Sequence, residues 1–193
     1  ITLSGLTMGA AAVADSATGI TVQTDQDTVA SAGAASGAIT SQPKTITFAV
    51  AAGDRIAAKA GVPVTLTFTT QTALAIGGKI TLNYPAGFFA ASPNPSDNAA
   101  STIGGATGMT ATSAITGNSI VITTAVGTIA ANAACTITLS GLKMGAAALA
   151  GSTTGITVQT DADVTASAGV ASGVLNSQAT AVAFDIAAGD RLA

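Results

Sequence analysis

The segment that opens this chain, 1–57, recurs as the segment that closes it, 137–193. The opening stretch ITLSGLTMGAAAVADSATGITVQTD, from Ile1 to Asp25, returns as ITLSGLKMGAAALAGSTTGITVQTD, from Ile137 to Asp161. The two aligned copies are identical at 38 of 57 positions, and most of the substitutions are mild. A period this long corresponds to a whole domain and not to one turn of a solenoid. The sequence therefore predicts a tandem array of domains of about 136 residues.

The repeat also predicts where the domains begin and end. We expect residues 1–42 to be the C-terminal part of a preceding repeat, 43–178 to be one complete repeat and 179–193 to be the first strand of the next. We therefore expect the chain to be an excerpt of a longer array. A domain of this size buries roughly two thirds of its chain surface, so it needs neither disulfides nor metal ions to be stable.

The composition is unusually poor in charge, which excludes several classes of function. Charged residues make up 8% of the chain, against about 25% in ordinary globular proteins. Glu, His and Trp are absent, and threonine and serine supply most of the polarity. A net charge of -3 with six scattered basic residues gives no electrostatic footprint for nucleic acid. Polar residues interrupt every apolar run before it could span a bilayer, so we expect no transmembrane segment. A hydroxyl-rich, weakly charged surface favours an extracellular or cell-surface location.

Apolar and polar residues alternate with a period of two in several short segments that are bounded by Gly, Pro and Asn. This pattern predicts β-strands and hairpins and, with seven or eight strands, an antiparallel β-sandwich. We expect an exposed loop at 90–107, and the Ala-rich run 145–150 is either one helical turn or a compact loop. The apolar positions of the predicted strands are Ile46, Phe48 and Val50; Val64, Leu66 and Phe68; Ile80, Leu82 and Tyr84; residues 109–115 and 120–124; Cys135, Ile137 and Leu139; and Ile156 and Val158.

The order of these strands carries a family resemblance. The stretch AGVPVTLTFTTQTALAIGGKITLNYPAGF (Ala60 to Phe88), followed by CTITLSGLKMG and TGITVQTDAD, resembles the Ig-like β-sandwich repeats of giant secreted surface, adhesin and filament proteins. The resemblance covers about one full period, from 43 to 178. It implies an Ig-like fold and an extracellular structural role as a spacer, adhesive module or fibre subunit. The chain departs from antibody-type domains because Cys135 has no partner for an inter-sheet disulfide.

The side chains needed for catalysis are largely missing. No His can serve as the base for a Ser or Cys nucleophile, and Asp-x-Asp is the closest approach to a carboxylate pair. Cys135 shares a strand face with Ile137 and Leu139, which predicts a buried and unreactive thiol. One Cys without any His also excludes a zinc site within one chain. We therefore expect that the protein is not an enzyme.

The most ligand-like motif is Asp161-Ala162-Asp163, with Asp25-Gln26-Asp27 as its copy. Two carboxylates in a loop after a strand can contribute to a calcium site, since calcium prefers several oxygen ligands. The alternative is a solvated turn in which the Asp side chains cap backbone N–H groups. The sequence leaves both interpretations open, and calcium is the one cofactor that it suggests.

Two other groups allow both a structural and a ligand-binding interpretation. Asp54 and Arg55 lie in the motif AAGDR, which both copies share, and could form a local ion pair or an inter-domain hydrogen bond. Such a pair at the surface would contribute at most about 1 kcal/mol. Tyr84, Phe88 and Phe89 could form an aromatic platform for sugar, but with six aromatic residues in the chain we expect them in the core.

Covalent sugar is a further prediction. No Asn-x-Ser/Thr sequon occurs, because Asn94 is followed by Pro95 and the other asparagines lack the hydroxyl. Segments that combine Ser, Thr and Pro are typical carriers of O-linked sugar. The candidates are Ser92, Pro93, Pro95 and Ser96, with the prolines modified after hydroxylation, together with the outward-facing threonines.

These features together favour a structural protein. We expect an extracellular filament or cell-surface fibre built from tandem sandwiches that associate with themselves along and across the fibre. Sugar is the other expected partner, and strand exchange near residues 179–193 could join neighbouring chains. The alternative function is a spacer or stalk of a cell-surface adhesin, rigidified by calcium at the Asp-x-Asp turns.

Overall fold

The computed structural model describes residues 2–9, 12–97, 111–179 and 183–187, and within these ranges the ordered elements are β-strands and one short 3-10 turn. No α-helix occurs in them, so the predicted all-β class is confirmed. The strands are β1 Lys44–Ala49, β2 Val62–Thr69, β3 Lys79–Asn83, β4 Ser96–Asp97, β5 Ala111–Thr116, β6 Ser119–Thr124, β7 Ala134–Leu142 and β8 Thr157–Thr160.

The strands form two four-stranded sheets. Their orders are β1-β2-β7-β4 and β5-β6-β3-β8, and every neighbouring pair is antiparallel. Buried side chains from both sheets form one hydrophobic cluster. The strands predicted within 109–115 and 120–124 are found as β5 and β6, which form a hairpin in which Thr116 pairs with Ser119. This arrangement is compatible with the predicted β-sandwich.

Strand β2 shows why these residues form strands. Val62, Val64, Leu66 and Phe68 are buried, while the threonines between the last three and after Phe68 are half-buried on the other face. Side chains on a strand alternate between faces, so this sequence buries one full face. Burying a Val, Leu or Phe side chain contributes about 1.5–3 kcal/mol. Pro63 lies where the β2–β7 register shifts, a position that does not need its missing N–H.

The predicted exposed loop at 90–107 is partly wrong. Ser96 and Asp97 form β4 and pair with Ser140 and Leu139 of β7. The Asn94 side-chain oxygen also accepts a hydrogen bond from the Ile115 backbone N–H at 2.9 Å. This segment therefore connects the edges of both sheets, which its Pro- and Ser-rich composition did not indicate. Residues 98–110 lie outside the described part of the chain.

The run 145–150 is a compact loop and not a helical turn. The Gly145 backbone N–H donates to the Phe88 carbonyl oxygen at 2.9 Å. A Cβ at Gly145 would lie 1.7 Å from the Gly87 carbonyl oxygen, so only glycine allows this approach. Leu149, near the end of the run, pairs with Leu175 in an isolated bridge.

The two sequence copies share several backbone hydrogen bonds. The bridges Val13–Ile39 and Ile20–Ala34 of the first copy correspond to Leu149–Leu175 and Ile156–Val170 of the second. Two contacts with serine hydroxyls correspond as well. In the first copy the Ser16 N–H donates to Ser36 and the Val22 N–H donates to Ser31. In the second copy the Ser152 N–H donates to Ser172 and the Val158 N–H donates to Ser167. Residues 12–40 therefore share these local contacts with residues 148–176.

Candidate functional site at the two ends of the sandwich

The second Asp-x-Asp motif forms a tight turn directly after β8. The Thr160 hydroxyl accepts hydrogen bonds from the backbone N–H groups of Asp163 at 2.8 Å and Ala162 at 3.2 Å. The Thr160 N–H in turn donates to the Asp163 carbonyl oxygen at 3.0 Å. Threonine hydroxyls commonly close such turns. The turn fixes the direction of the carboxylates of Asp161 and Asp163.

Those two carboxylates hold the connection between β2 and β3. Asp163 is fully buried, and its two oxygens accept hydrogen bonds from the backbone N–H groups of Gln71 at 2.8 Å and Thr72 at 2.9 Å. Asp161 accepts one from the Lys79 N–H at 2.9 Å. Charge-assisted bonds of this kind are roughly twice as strong as neutral ones. The motif therefore binds both ends of the 70–78 connection to the turn after β8.

This geometry matches the capping interpretation of the motif. Among the described residues, no group of three or more His, Cys, Asp or Glu side chains lies close enough to hold a metal ion. The first copy forms the same turn, with the Thr24 hydroxyl accepting from the Asp27 N–H at 2.9 Å, but Asp25 and Asp27 are exposed. Calcium binding at these aspartates stays a prediction and gains no support from the contacts.

The chain enters the sandwich at this same end. Ser41 is buried, its hydroxyl donates to the Ala162 carbonyl oxygen at 3.1 Å and it accepts from the Thr72 hydroxyl at 3.1 Å. The Ser41 carbonyl oxygen accepts from the Thr165 N–H at 3.1 Å. Ser41 is therefore held by the Asp-x-Asp turn and by the connection that Asp163 caps.

The chain leaves the sandwich at the opposite end. Asn176 donates its N–H to the Arg55 carbonyl oxygen at 2.9 Å and accepts from the Ala57 N–H at 2.8 Å. Arg55 and Ala57 belong to the connection between the end of β1 and the start of β2. The Arg55 side chain also lies against Gly173, where a Cβ would come within 2.4 Å of a guanidinium nitrogen. The chain is therefore held by hydrogen bonds where it leaves the sandwich, at Asn176, as it is where it enters, at Ser41.

Of the two interpretations of Asp54 and Arg55, a local ion pair or an inter-domain hydrogen bond, the ion pair between them is not found, because Asp54 pairs with Lys59 instead. Asp54 contacts the Lys59 ammonium at 2.8 Å, and Lys59 also donates to the Gly53 carbonyl oxygen at 2.7 Å. Arg55 points away to Gly173, and its buried Nε has no hydrogen-bond partner among the described residues. Adjacent residues of this turn project in different directions, which explains the difference. The counterpart Asp190 lies outside the described residues.

The predicted sugar sites differ in accessibility. Ser92 and Pro93 are exposed, whereas Pro95 is buried and has no surface on which to carry a sugar. Ser96 begins strand β4 and pairs with Ser140. Burial therefore counts against Pro95, while Ser92 and Pro93 are exposed candidates.

The three clustered aromatic residues Tyr84, Phe88 and Phe89 and the thiol of Cys135 lie in the core, as expected. Tyr84, Phe88 and Phe89 are buried, and neighbouring rings meet edge to face with centroids 5.0 and 4.8 Å apart. Burial raises the pKa of the Tyr84 phenol above its usual value, and it raises the pKa of the Cys135 thiol to about 12. A thiol with this pKa is protonated at neutral pH and a poor nucleophile.

One cleft lies near the incoming end of the chain. It has a volume of about 430 Å³ and is bounded by Ala12 of the first copy and by residues of the sandwich, chiefly Lys44, 71–73 and Asn132. Among the described lining residues, Lys44 carries the only charge, Gln71, Thr72 and Asn132 are polar, and the rest are alanines. The described lining therefore has none of the large apolar or aromatic side chains that are typical of a small-molecule site.

Comparison with protein-family models gives no match, and comparison with curated protein sequences gives none either. Within the described residues, no helix has the length and apolar character needed to cross a membrane. The anchored ends are the feature of the described residues that bears on function. The aspartates at these ends were predicted from the sequence, whereas Ser41, Gly173 and the role of Arg55 were not. The sequence marked these two residues only by their identity in both copies, since Ser41 matches Ser177 and Gly173 matches Gly37.

Proposed function

We propose that the chain is a segment of an extracellular filament or cell-surface fibre built from tandem Ig-like β-sandwich repeats, and that its role is mechanical and not catalytic. The observation that carries this proposal is that the chain enters the sandwich at one end and leaves at the other. At the entry end, Lys44 at the start of β1 pairs with Thr69 at the end of β2. At the exit end, Asn176 hydrogen bonds to residues 55–57, which precede the start of β2. Copies joined in this way extend along a line.

The strand order supports an Ig-like assignment. In that fold one sheet has the order A-B-E-D and the other contains C-F-G. With β1, β2, β3, β4, β7 and β8 as strands A to F, the sheets contain A-B-E-D and C-F. Residues 167–170 take the place of G, because Ser167 and Val170 hydrogen bond to the β8 side of the sheet. The β5–β6 hairpin is then an addition between D and E, beside C.

Fixed ends give such an array stiffness. Domains joined by a free linker are expected to move relative to one another. Here Ser41 makes three hydrogen bonds to the sandwich that follows it, and Asn176 makes two to the sandwich that precedes it. A chain held on both sides of each junction keeps a constant angle between successive units.

The outer faces of the sheets suit close lateral packing. Thr47, Thr67 and Thr136 lie opposite one another on β1, β2 and β7, and Thr65 lies opposite Thr138 in the next row. The hydroxyls of Thr47 and Thr67 contact each other. With few charges there is little repulsion between identical chains. The same rows, with Ser92 and Pro93, are where we propose O-linked sugar.

A stalk of a cell-surface adhesin is the second candidate, because the same axial path of the chain also builds a stalk. The two proposals differ in lateral association, which a fibre needs and a stalk does not. The stalk version also includes calcium at the Asp-x-Asp turns, so a chelator should lower its thermal stability.

Electron microscopy of the purified native material tests the function. Ordered filaments with an axial repeat of one sandwich, or a small multiple of it, are the expected result, and extra density on Ser, Thr or Pro would locate sugar. Separate flexible rods would favour the stalk. Turnover of a substrate by residues 43–178 would contradict both proposals.

A further inference from the structure

We propose that the apolar face of segment 2–40 is an interface for a second copy of the 43–136 unit, carried directly ahead of it in the same polypeptide. This inference rests on the proposed tandem arrangement and names the partner of one surface in it. The surface consists of five large side chains with exposed fractions between 50 and 74%: Leu3, Leu6, Met8, Ile20 and Val22.

The same five positions are buried in the other copy. Their counterparts there are Leu139, Leu142, Met144, Ile156 and Val158, each with an exposed fraction of 0%. The side chains are identical, and around Ile20 and Val22 the backbone makes the same bridge and serine contact as around Ile156 and Val158. The pairing differs, because residues 138–142 and 157–160 lie in β7 and β8, whereas residues 2–6 and 21–24 lie in no strand. The difference in exposure therefore follows from what is paired with each copy.

The structure identifies what covers the buried copy. Leu139 on β7 pairs with Val64 of β2, and Val158 on β8 pairs with Leu82 of β3. Both partner strands belong to the 43–136 unit. Because strand pairing sets register as well as burial, the complement of this face is a pair of sheets, one containing the β2 sequence and the other the β3 sequence.

Polar groups of the first copy fit the same partner. Asp161 and Asp163 cap the N–H groups of Lys79, Gln71 and Thr72 in the 43–136 unit. Their counterparts Asp25 and Asp27 are in an equivalent turn but exposed. A lipid surface or an unrelated apolar partner would leave these carboxylates unused, whereas a second 43–136 unit offers the donors that they match.

The unit already in this chain cannot be that partner. Its β2 and β3 are paired with residues 134–142 and 157–160, so its binding face is occupied. Segment 2–40 therefore needs a further unit. A unit placed ahead of Ile1 would run from Thr136 into Ile1 as it now runs into Ile137, and β7 would form across that joint.

The test compares the 193-residue chain with a longer one in which residues 43–136 are placed directly ahead of Ile1. We expect the shorter chain to bind the apolar dye ANS and the longer chain to lose that binding while it remains monomeric. We also expect amide exchange at 21–25 to be about tenfold or more slower in the longer chain. Unchanged dye binding and unchanged exchange in the longer chain would overturn the proposal. So would a concentration-dependent dimer of the shorter chain that protects the same amides, because the partner would then be another molecule.

A matched pair of substitutions separates docking from general effects on folding. Val22→Asp should leave urea unfolding of the shorter chain unchanged, because Val22 is exposed there, and should restore dye binding in the longer chain. Val158→Asp should lower the urea midpoint in both chains, because Val158 is buried in both. Equal effects of Val22→Asp in the two chains would count against the interface. This test does not measure filament formation. A result that contradicts the interface therefore leaves the proposed fibre untouched, and an absence of filaments leaves the interface untouched.

Discussion

At the scale of single residues, Asp163 has the most consequential contacts in the structure. It is a fully buried carboxylate whose two oxygens accept from backbone N–H groups that are distant in the chain, those of Gln71 and Thr72. A buried charge is tolerated only when it is well hydrogen-bonded. Asp163 therefore stabilises a distant connection, although its sequence surroundings are those of an ordinary turn.

Replacing Asp163 by alanine should lower the free energy of unfolding by about 2–4 kcal/mol, because two partly buried N–H groups lose their acceptor and a fully buried side chain is removed. Urea unfolding of the whole chain measures this change. Asp27→Ala is the matched control: it sits in the same turn but is exposed, so a change within about 0.5 kcal/mol is expected.

Alanine variants of Asp161 and Asp163 decide whether these carboxylates cap backbone N–H groups or bind calcium. If the carboxylates act as caps, removal of calcium by a chelator leaves the unfolding of the unsubstituted chain unchanged. A loss of stability in chelator that disappears in Asp161→Ala and Asp163→Ala would support the metal site instead.

At the scale of elements, alternation in the sequence predicted most strands correctly, because a strand with one buried face must have apolar residues at every second position. Strand β4 was missed because two residues cannot show a period and its pairing with β7 is long-range. The anchored ends were missed for the same reason. Ser41 and Thr72, or Arg55 and Gly173, come together only through the fold, and no local pattern marks such pairs.

The turn at Gly173 provides a test of the outgoing anchor. Gly173 has a φ of +76° and touches the Arg55 guanidinium, whereas Gly37 has a φ of +74° and open space around it. Alanine at either position incurs the cost of a left-handed backbone, about 1–2 kcal/mol. Gly173→Ala should cost more, because Arg55 must also move.

Urea unfolding of Gly173→Ala, with and without Arg55→Ala, measures that extra cost. We expect the glycine substitution to be less damaging once the arginine side chain is gone. An equal effect in both backgrounds would mean that the contact with Arg55 contributes nothing to the anchor.

At the scale of the whole molecule, the proposed stiffness depends on a few hydrogen bonds at each junction. Ser41 is buried against the following sandwich, while its counterpart Ser177 is exposed. The contrast shows how much of the environment of one residue is supplied by the neighbouring unit. Stiffness is therefore a property of consecutive copies and not of one sandwich alone.

Ser41→Ala should loosen the junction while it changes unfolding by only about 1 kcal/mol, since one hydroxyl and its two hydrogen bonds are lost. In the longer chain described above, electron microscopy should show a broader range of angles between the two sandwiches. Ser177→Ala, on an exposed residue, should leave that range unchanged. An unaltered range in Ser41→Ala would show that other contacts set the angle.

The matching hydrogen bonds of the two copies also affect how such a gene can change. Because corresponding positions of the two copies make the same bridges, a crossover between misaligned copies joins two halves that already fit. In the proposed tandem array, the product would gain or lose one whole sandwich and would keep the same anchors on either side of the point of exchange. The length of such an array could then vary in discrete steps, without any new interface having to evolve.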